Sequence, residues 1–185
     1  MLEPRIQQHF FESADLMYQV AEHLSRPIAE AAQAATGCLT SGGRLLVYSQ
    51  GGDELARLAC DRLMVRFERE RPPLAAWPLA SAGAPDASLQ LQALAQSGDL
   101  LWVLCPLDDD PATAALIAQA HAKDMSVVMF SGGMGSRWPA LLRETDVWIA
   151  VPHERRARVQ EVHLLALHAL CDAIDLQLLG ESDPA

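Results

Sequence analysis

The chain has 185 residues, 50% of them apolar and 21% charged, which points to one globular domain around one sizeable core. Its 24 acidic and 14 basic residues leave a net charge of −10. That argues against direct nucleic-acid binding, which needs clustered Lys and Arg, and a basic patch on a partner protein suits this surface better. No apolar run approaches the ~18–20 residues of a membrane span. Glu3, Glu12 and Asp15 interrupt any signal-peptide pattern, so the expected location is cytoplasmic. Cys38, Cys60, Cys105 and Cys171 are far apart, lack a C-x-x-C pair and read as reduced core thiols.

In chain order, Ile6, Phe10, Ser13, Met17, Val20 and Leu24 recur at three- and four-residue steps and predict a helix over 3–23. A second helix is expected from Pro27 to Leu39, opened by proline at an early position and ended by Gly42 and Gly43. From Arg44 the pattern alternates. Strands are expected at Leu45–Tyr48, Leu74–Trp77, Asp99–Cys105, Ser126–Phe130 and Val147–Val151. Helices are expected at 53–67, 86–96, 111–122, 157–178 and, for a turn or two, 137–143. Strands that are apolar throughout and separated by helices specify an α/β fold, a parallel sheet covered on both faces. The expected division is an N-terminal helical segment over 1–43, an α/β domain over 44–180 and a frayed tail over 181–185.

Ligands in such sheets bind beyond the carboxyl ends of the strands, beside the next helix N-terminus. The first such turn is Ser49-Gln50-Gly51-Gly52-Asp53. Its glycines allow close backbone approach, but it has neither Walker nor dinucleotide spacing. The second turn, Cys105 to Pro111, carries Asp108, Asp109 and Asp110. Asp110-Pro111 makes a good helix start, which accounts for one aspartate of the three. Each carboxylate within about 4 Å of a phosphate opposes it by roughly 1 kcal/mol even in water, so this turn does not suit a phosphate. A hard cation such as Mg²⁺ is the alternative occupant.

The start of the last helix gathers Arg155, Arg156 and Arg158, whose charge opposes the helix dipole. That misfit suggests an anionic partner, or Glu154 or Glu161 of a neighbouring chain. Further along, Gln160 and Glu161 fall near the face of His168, too few groups for a metal site on this helix alone.

Arg66-Phe67-Glu68-Arg69-Glu70-Arg71-Pro72 and Val159 to Asp175 resemble the SIS (sugar isomerase) domain proteins. More narrowly they resemble the phosphoheptose isomerases and the DiaA-type initiator-associating proteins. The resemblance implies a three-layer, five-stranded, doubly wound flavodoxin-like sheet with two extra N-terminal helices that help build a homotetramer. It implies a pocket from Ser49, Gln50, Gly51, Gly52, Asp53, Cys105, Asp108, Asp109, Asp110, Ser131 and Gln160. Gln160 and His168 match two of the family's zinc positions, but the helix after the first turn has no His, so no zinc is expected. Cys105 to Asp110 stands where the family's phosphate-holding turn reads Ser-Thr-Ser-Gly-Asn-Ser, and the segment from Pro78 to Asp99 is shortened. These departures, with the Cys-Asp-x-Ile-Asp end of the last helix, favour a non-catalytic protein that binds the replication initiator DnaA. The alternatives are an isomerase of sedoheptulose 7-phosphate, with Glu161 or His168 as the proton-transfer candidates, and a sensor of a carbohydrate derivative.

Overall fold

The computed structural model describes residues 1–52, 54–80, 86–106, 110–133 and 137–181. Five parallel strands, β1 (Leu45–Ser49), β2 (Ala76–Pro78), β3 (Leu100–Cys105), β4 (Ser126–Gly132) and β5 (Val147–Val151), lie in the order β2-β1-β3-β4-β5. Leu45 stands opposite both Ala76 and Leu100, and Cys105 opposite Ser131. This is the flavodoxin-like order, with its switch point between β1 and β3. A ligand crevice is therefore expected above the end of β1.

Successive strand residues point to opposite faces, and two separate cores follow. On one face Leu45, Val47, Trp102, Leu104, Phe130 and Val151 pack against α1 (Leu2–Thr40), α2 (Glu54–Met64) and α5 (Arg156–Leu179). On the other, Leu46, Leu101, Val103, Val127 and Met129 pack against α3 (Ala87–Leu94), α4 (Pro111–Ala122) and Trp138 of a short 3-10 turn over Trp138–Ala140. The 3-10 turn stands within 137–143, where one or two helical turns were expected.

The N-terminal region departs from expectation. Two helices were expected, and one 39-residue helix is found, with Pro27 inside it. Proline there removes one backbone donor and disfavours the helix. The apolar stripe, however, runs on through the position. Leu16, Val20 and Leu24 precede Pro27, Ala31 and Ala35 follow it, and all are buried in the same core. Burial of one continuous stripe outweighs the local penalty. Elsewhere the element bounds shift by a few residues, the usual fraying of ends.

By length and composition α5 alone, among the described helices, is apolar enough to cross a membrane. Its apolar side is instead core: Val159, Val162, Ala166, Leu167, Leu170 and Ile174 are buried against the sheet.

The same helix buries His163 completely. Its Nε2 lies 3.3 Å from the Ser131 carbonyl oxygen, and its ring meets Phe130 edge-on at 5.8 Å. Burial pushes its pKa down to about 4, partly opposed by the contact with Ser131. The folded chain thus keeps His163 neutral where the unfolded chain protonates it. Below pH 6.5 the unfolded state holds the extra proton, so stability falls as pH falls, by about 3 kcal/mol on reaching pH 4. Urea unfolding at pH 7 and pH 4.5 checks this, and His163→Leu should flatten that acid limb.

Candidate active site

A cavity of about 350 Å³ opens beside the carboxyl end of β1, within the usual ~300–1,000 Å³ range of small-molecule sites. The first turn supplies Ser49, Gln50, Gly51 and Gly52, α2 supplies Glu54 and Leu55, and α5 supplies Ala157, Gln160, Glu161 and Leu164. The turn is tight because Gly51 has φ +79°, a conformation that favours glycine. Its backbone is fixed by the Gln50 N–H, which donates to the Leu104 carbonyl at 2.8 Å. Cys105 Sγ donates to Gln50 Oε1 at 3.1 Å, so the end of β3 braces the same turn.

Glu161 is the best-anchored polar group of the cavity. Its Oε2 accepts from Ser13 Oγ of α1 at 2.6 Å and also from Arg158 Nη1. Its other oxygen has no partner among the described residues. Arg158, only 4% exposed, in turn donates to His9 Nδ1 at 2.8 Å. Arg155 reaches back to Glu12 at 2.7 Å. The Gln8 hydrogen bond holds the Glu12 carboxyl below its ordinary range, opposed by desolvation and assisted by Arg155. Two of the three clustered arginines thus pair within their own chain, where an anionic partner, or Glu154 or Glu161 of a neighbouring chain, was expected. The third, Arg156, has no hydrogen-bond or ion-pair partner among the described residues, and it lies over the glycine turn. A Cβ added at Gly51 would be 2.5 Å from Arg156 Nη2.

Of the expected pocket residues, Ser49, Gln50, Gly51, Gly52 and Gln160 meet in this cavity. Others go elsewhere. Ser131 is fully buried, and its Oγ accepts from Trp148 Nε1 at 2.9 Å. Cys105 belongs to the second core. Asp110 caps α4 through the Thr113 N–H at 3.0 Å and lines a separate cavity with Arg137 and Trp138. His168 leaves the site to stack on Phe67, centroids 5.4 Å apart. Asp53, Asp108 and Asp109 lie outside the described residues. Sequence reading missed Glu54, although its place two residues after the glycine pair was a usable signal, and Ser13, for which the sequence held none.

The donors do not fit a zinc ion. Gln160 lines the cavity while His168 turns to Phe67. Among the described residues, no three His, Cys, Asp or Glu side chains gather as a metal cluster.

No family model matches the chain. Curated relatives do: a phosphoheptose isomerase of Methylibium petroleiphilum is 47% identical over 99% of this chain and 98% of its own length. One from an Azoarcus species is 38% identical over 95% of this chain and 96% of its own. Among solved structures, the phosphoheptose isomerase GmhA of Neisseria gonorrhoeae superposes with a TM-score of 0.84 at 30% identity, covering 95% of this chain and 99% of that one. The order of the sheet, the crevice above β1 and these similarities define a SIS-domain protein with the sugar isomerase fold. Within that class, the chain belongs to the phosphoheptose isomerase family. The expectation of a non-catalytic, DnaA-binding protein is thereby overturned. It rested on a short helix ending and on lost motif residues, whereas similarity to isomerases runs the full length.

Proposed function

We propose that the chain is an aldose–ketose isomerase of a phosphosugar, with sedoheptulose 7-phosphate as the first substrate to test. The observation that carries the reading is the pairing of two carboxylates, Glu54 and Glu161, in one cavity at the sheet's switch point; the names of the full-length relatives support the substrate class. Isomerisation moves one proton between adjacent carbons and a second between their oxygens. Arg158 and Ser13 both donate to Oε2 of Glu161 and hold the carboxylate in place, and its unengaged oxygen is available as base. It takes the proton from the carbon beside the carbonyl. The electron pair forms the carbon–carbon double bond of an enediol as the carbonyl oxygen gains a proton. Return of the proton to the neighbouring carbon completes the exchange. Glu54, on the α2 wall, is placed to pass the proton between the oxygens, and Gln160 to donate to a substrate hydroxyl.

The test is direct: purified protein with sedoheptulose 7-phosphate in D₂O, followed by proton NMR. Deuterium entering at the carbon beside the carbonyl, with an aldose phosphate appearing, is the expected result. No exchange and no aldose after prolonged incubation sinks the reading.

A further inference from the structure

We infer that Arg158 is the positioning residue of this site: its guanidinium, anchored from α1, holds Glu161 so that one carboxylate oxygen belongs to the scaffold and the other to the substrate. The inference rests on the reading of Glu161 as the proton-transfer group and adds what sets its orientation.

Three observations meet on Arg158. Its donors are divided between two helices. Nη1 donates to Glu161 Oε2, one turn along the same face of α5, and Nη2 donates to His9 Nδ1 of α1 at 2.8 Å. A planar fork tied at both prongs is held against rotation, so Glu161 meets a donor of fixed direction. The donors to Glu161, in turn, converge. Ser13 Oγ reaches the same Oε2 at 2.6 Å, and no described group engages the other oxygen. The Arg158 side chain is 5% exposed and the Glu161 side chain 38%, so the carboxylate spans the boundary between the interior and the cavity it lines. Finally, the arrangement is costly. Burying a guanidinium is expensive, and Nε of Arg158 is buried with no hydrogen-bond partner among the described residues.

Pinning α1 to α5 does not require that cost. Arg155 and Glu12 join the same two helices at 2.7 Å with both side chains in reach of solvent, and the apolar stripe from Leu16 onward already buries α1 in the core that α5 shares. A buried ion pair adds little net stability. What this one supplies is a fixed direction for the free oxygen of Glu161. Misplacing a reacting group by about 1 Å costs roughly 10²-fold in rate, and that is the effect at stake.

The experiment measures kcat and KM for sedoheptulose 7-phosphate, with deuterium exchange in D₂O, in Arg158→Met, Arg158→Lys, Ser13→Ala and Arg155→Met. Arg158→Met and Ser13→Ala are repeated in a Glu161→Gln background. Arg155→Met breaks a link between the same helices without touching Glu161 and controls for pinning. Arg158→Met should lower kcat roughly 10²-fold with KM within a few-fold. Arg158→Lys should recover part of that, since it restores the charge but not the fork. Ser13→Ala should lower kcat by roughly tenfold, the worth of one hydrogen bond to a charged group, and Arg155→Met by less than about threefold. Added to Glu161→Gln, neither Arg158→Met nor Ser13→Ala should cost more than about threefold further, because residues that act through one group are not additive. Equal losses in Arg155→Met and Arg158→Met overturn the inference. Losses that multiply in the Glu161→Gln background do the same, as does an Arg158→Met kcat within about threefold of wild type. Should Arg158→Met fail to fold, Ser13→Ala decides by the same criteria. A wild type with no exchange removes the enzyme reading and this inference together, whereas any of those outcomes in an active protein removes this inference alone.

Discussion

Asp175→Ala is expected to destabilise the fold by about 3–5 kcal/mol, the cost of leaving one member of a buried ion pair without its partner. Asp175 and Arg71 are both almost wholly shielded from solvent, 1% and 2% exposed at the side chain, with Arg71 Nε 2.5 Å from Asp175 Oδ1. Arg71 does more than neutralise a charge. Its two terminal nitrogens donate to the carbonyls of Leu63 at 2.6 Å and Arg62 at 2.9 Å, the last turn of α2. Carbonyls at a helix C-terminus lack intrahelical donors, and a cation there also matches the dipole. The pair therefore locks α2, the Arg66–Pro72 segment and α5 together. Urea unfolding of Asp175→Ala, Arg71→Met and the double variant separates the parts. The singles should each lose several kcal/mol. The double variant should recover much of the buried-charge cost but not the two carbonyl bonds, so it remains below wild type. A single variant within about 1 kcal/mol of wild type would show that water reaches the pair.

Glu161→Gln is expected to lower kcat by about 10²-fold or more, the usual worth of a positioned proton-transfer group. Gln is nearly isosteric and its oxygen still accepts from Ser13 Oγ and Arg158. The thermal midpoint should consequently move little, and KM should stay within a few-fold because the contacts that hold the sugar remain. A kcat within threefold of wild type, in a variant that remains folded, would remove Glu161 from the chemistry. Glu54→Gln, measured beside it, tells which of the two carboxylates serves carbon and which serves oxygen: only loss of the carbon base abolishes deuterium exchange.

Much of the fold was legible because its strands are long apolar runs with helices between them, a pattern that allows little besides a covered parallel sheet. The break assigned near Pro27 was an error of scale. A proline rule acts over one turn, whereas the stripe from Leu16 to Ala35 acts over five. The site was legible where it lies on contiguous residues, Ser49 to Gly52 and Gln160 to Glu161. It was not legible where the answer depends on which side of the sheet a side chain takes. Cys105 and Ser131 are in register and follow Val103 and Met129 by two residues, so they belong to the other face. Period-two patterning cannot reveal this when both faces are apolar. His168 shares a helical face with Glu161 but stands about 10 Å further along the axis, which brings it to Phe67 instead. Ser13 meets Glu161 across 148 residues of chain, a proximity only tertiary structure creates.

The two cores on either side of the sheet are also an insulation. Every described wall of the candidate active site belongs to β1, its turn, α2 or α5, all on the first face. The segment shortened relative to the family resemblance builds α3, and its buried residues Leu79, Ala87, Leu91 and Ala95 pack on the second. A sheet of closely packed side chains stands between, and the two sides meet at Cys105, which belongs to the second core and donates to Gln50 of the site's turn. Substitutions on the α3–α4 side that leave Cys105 in place should therefore change stability more than the geometry around Glu161.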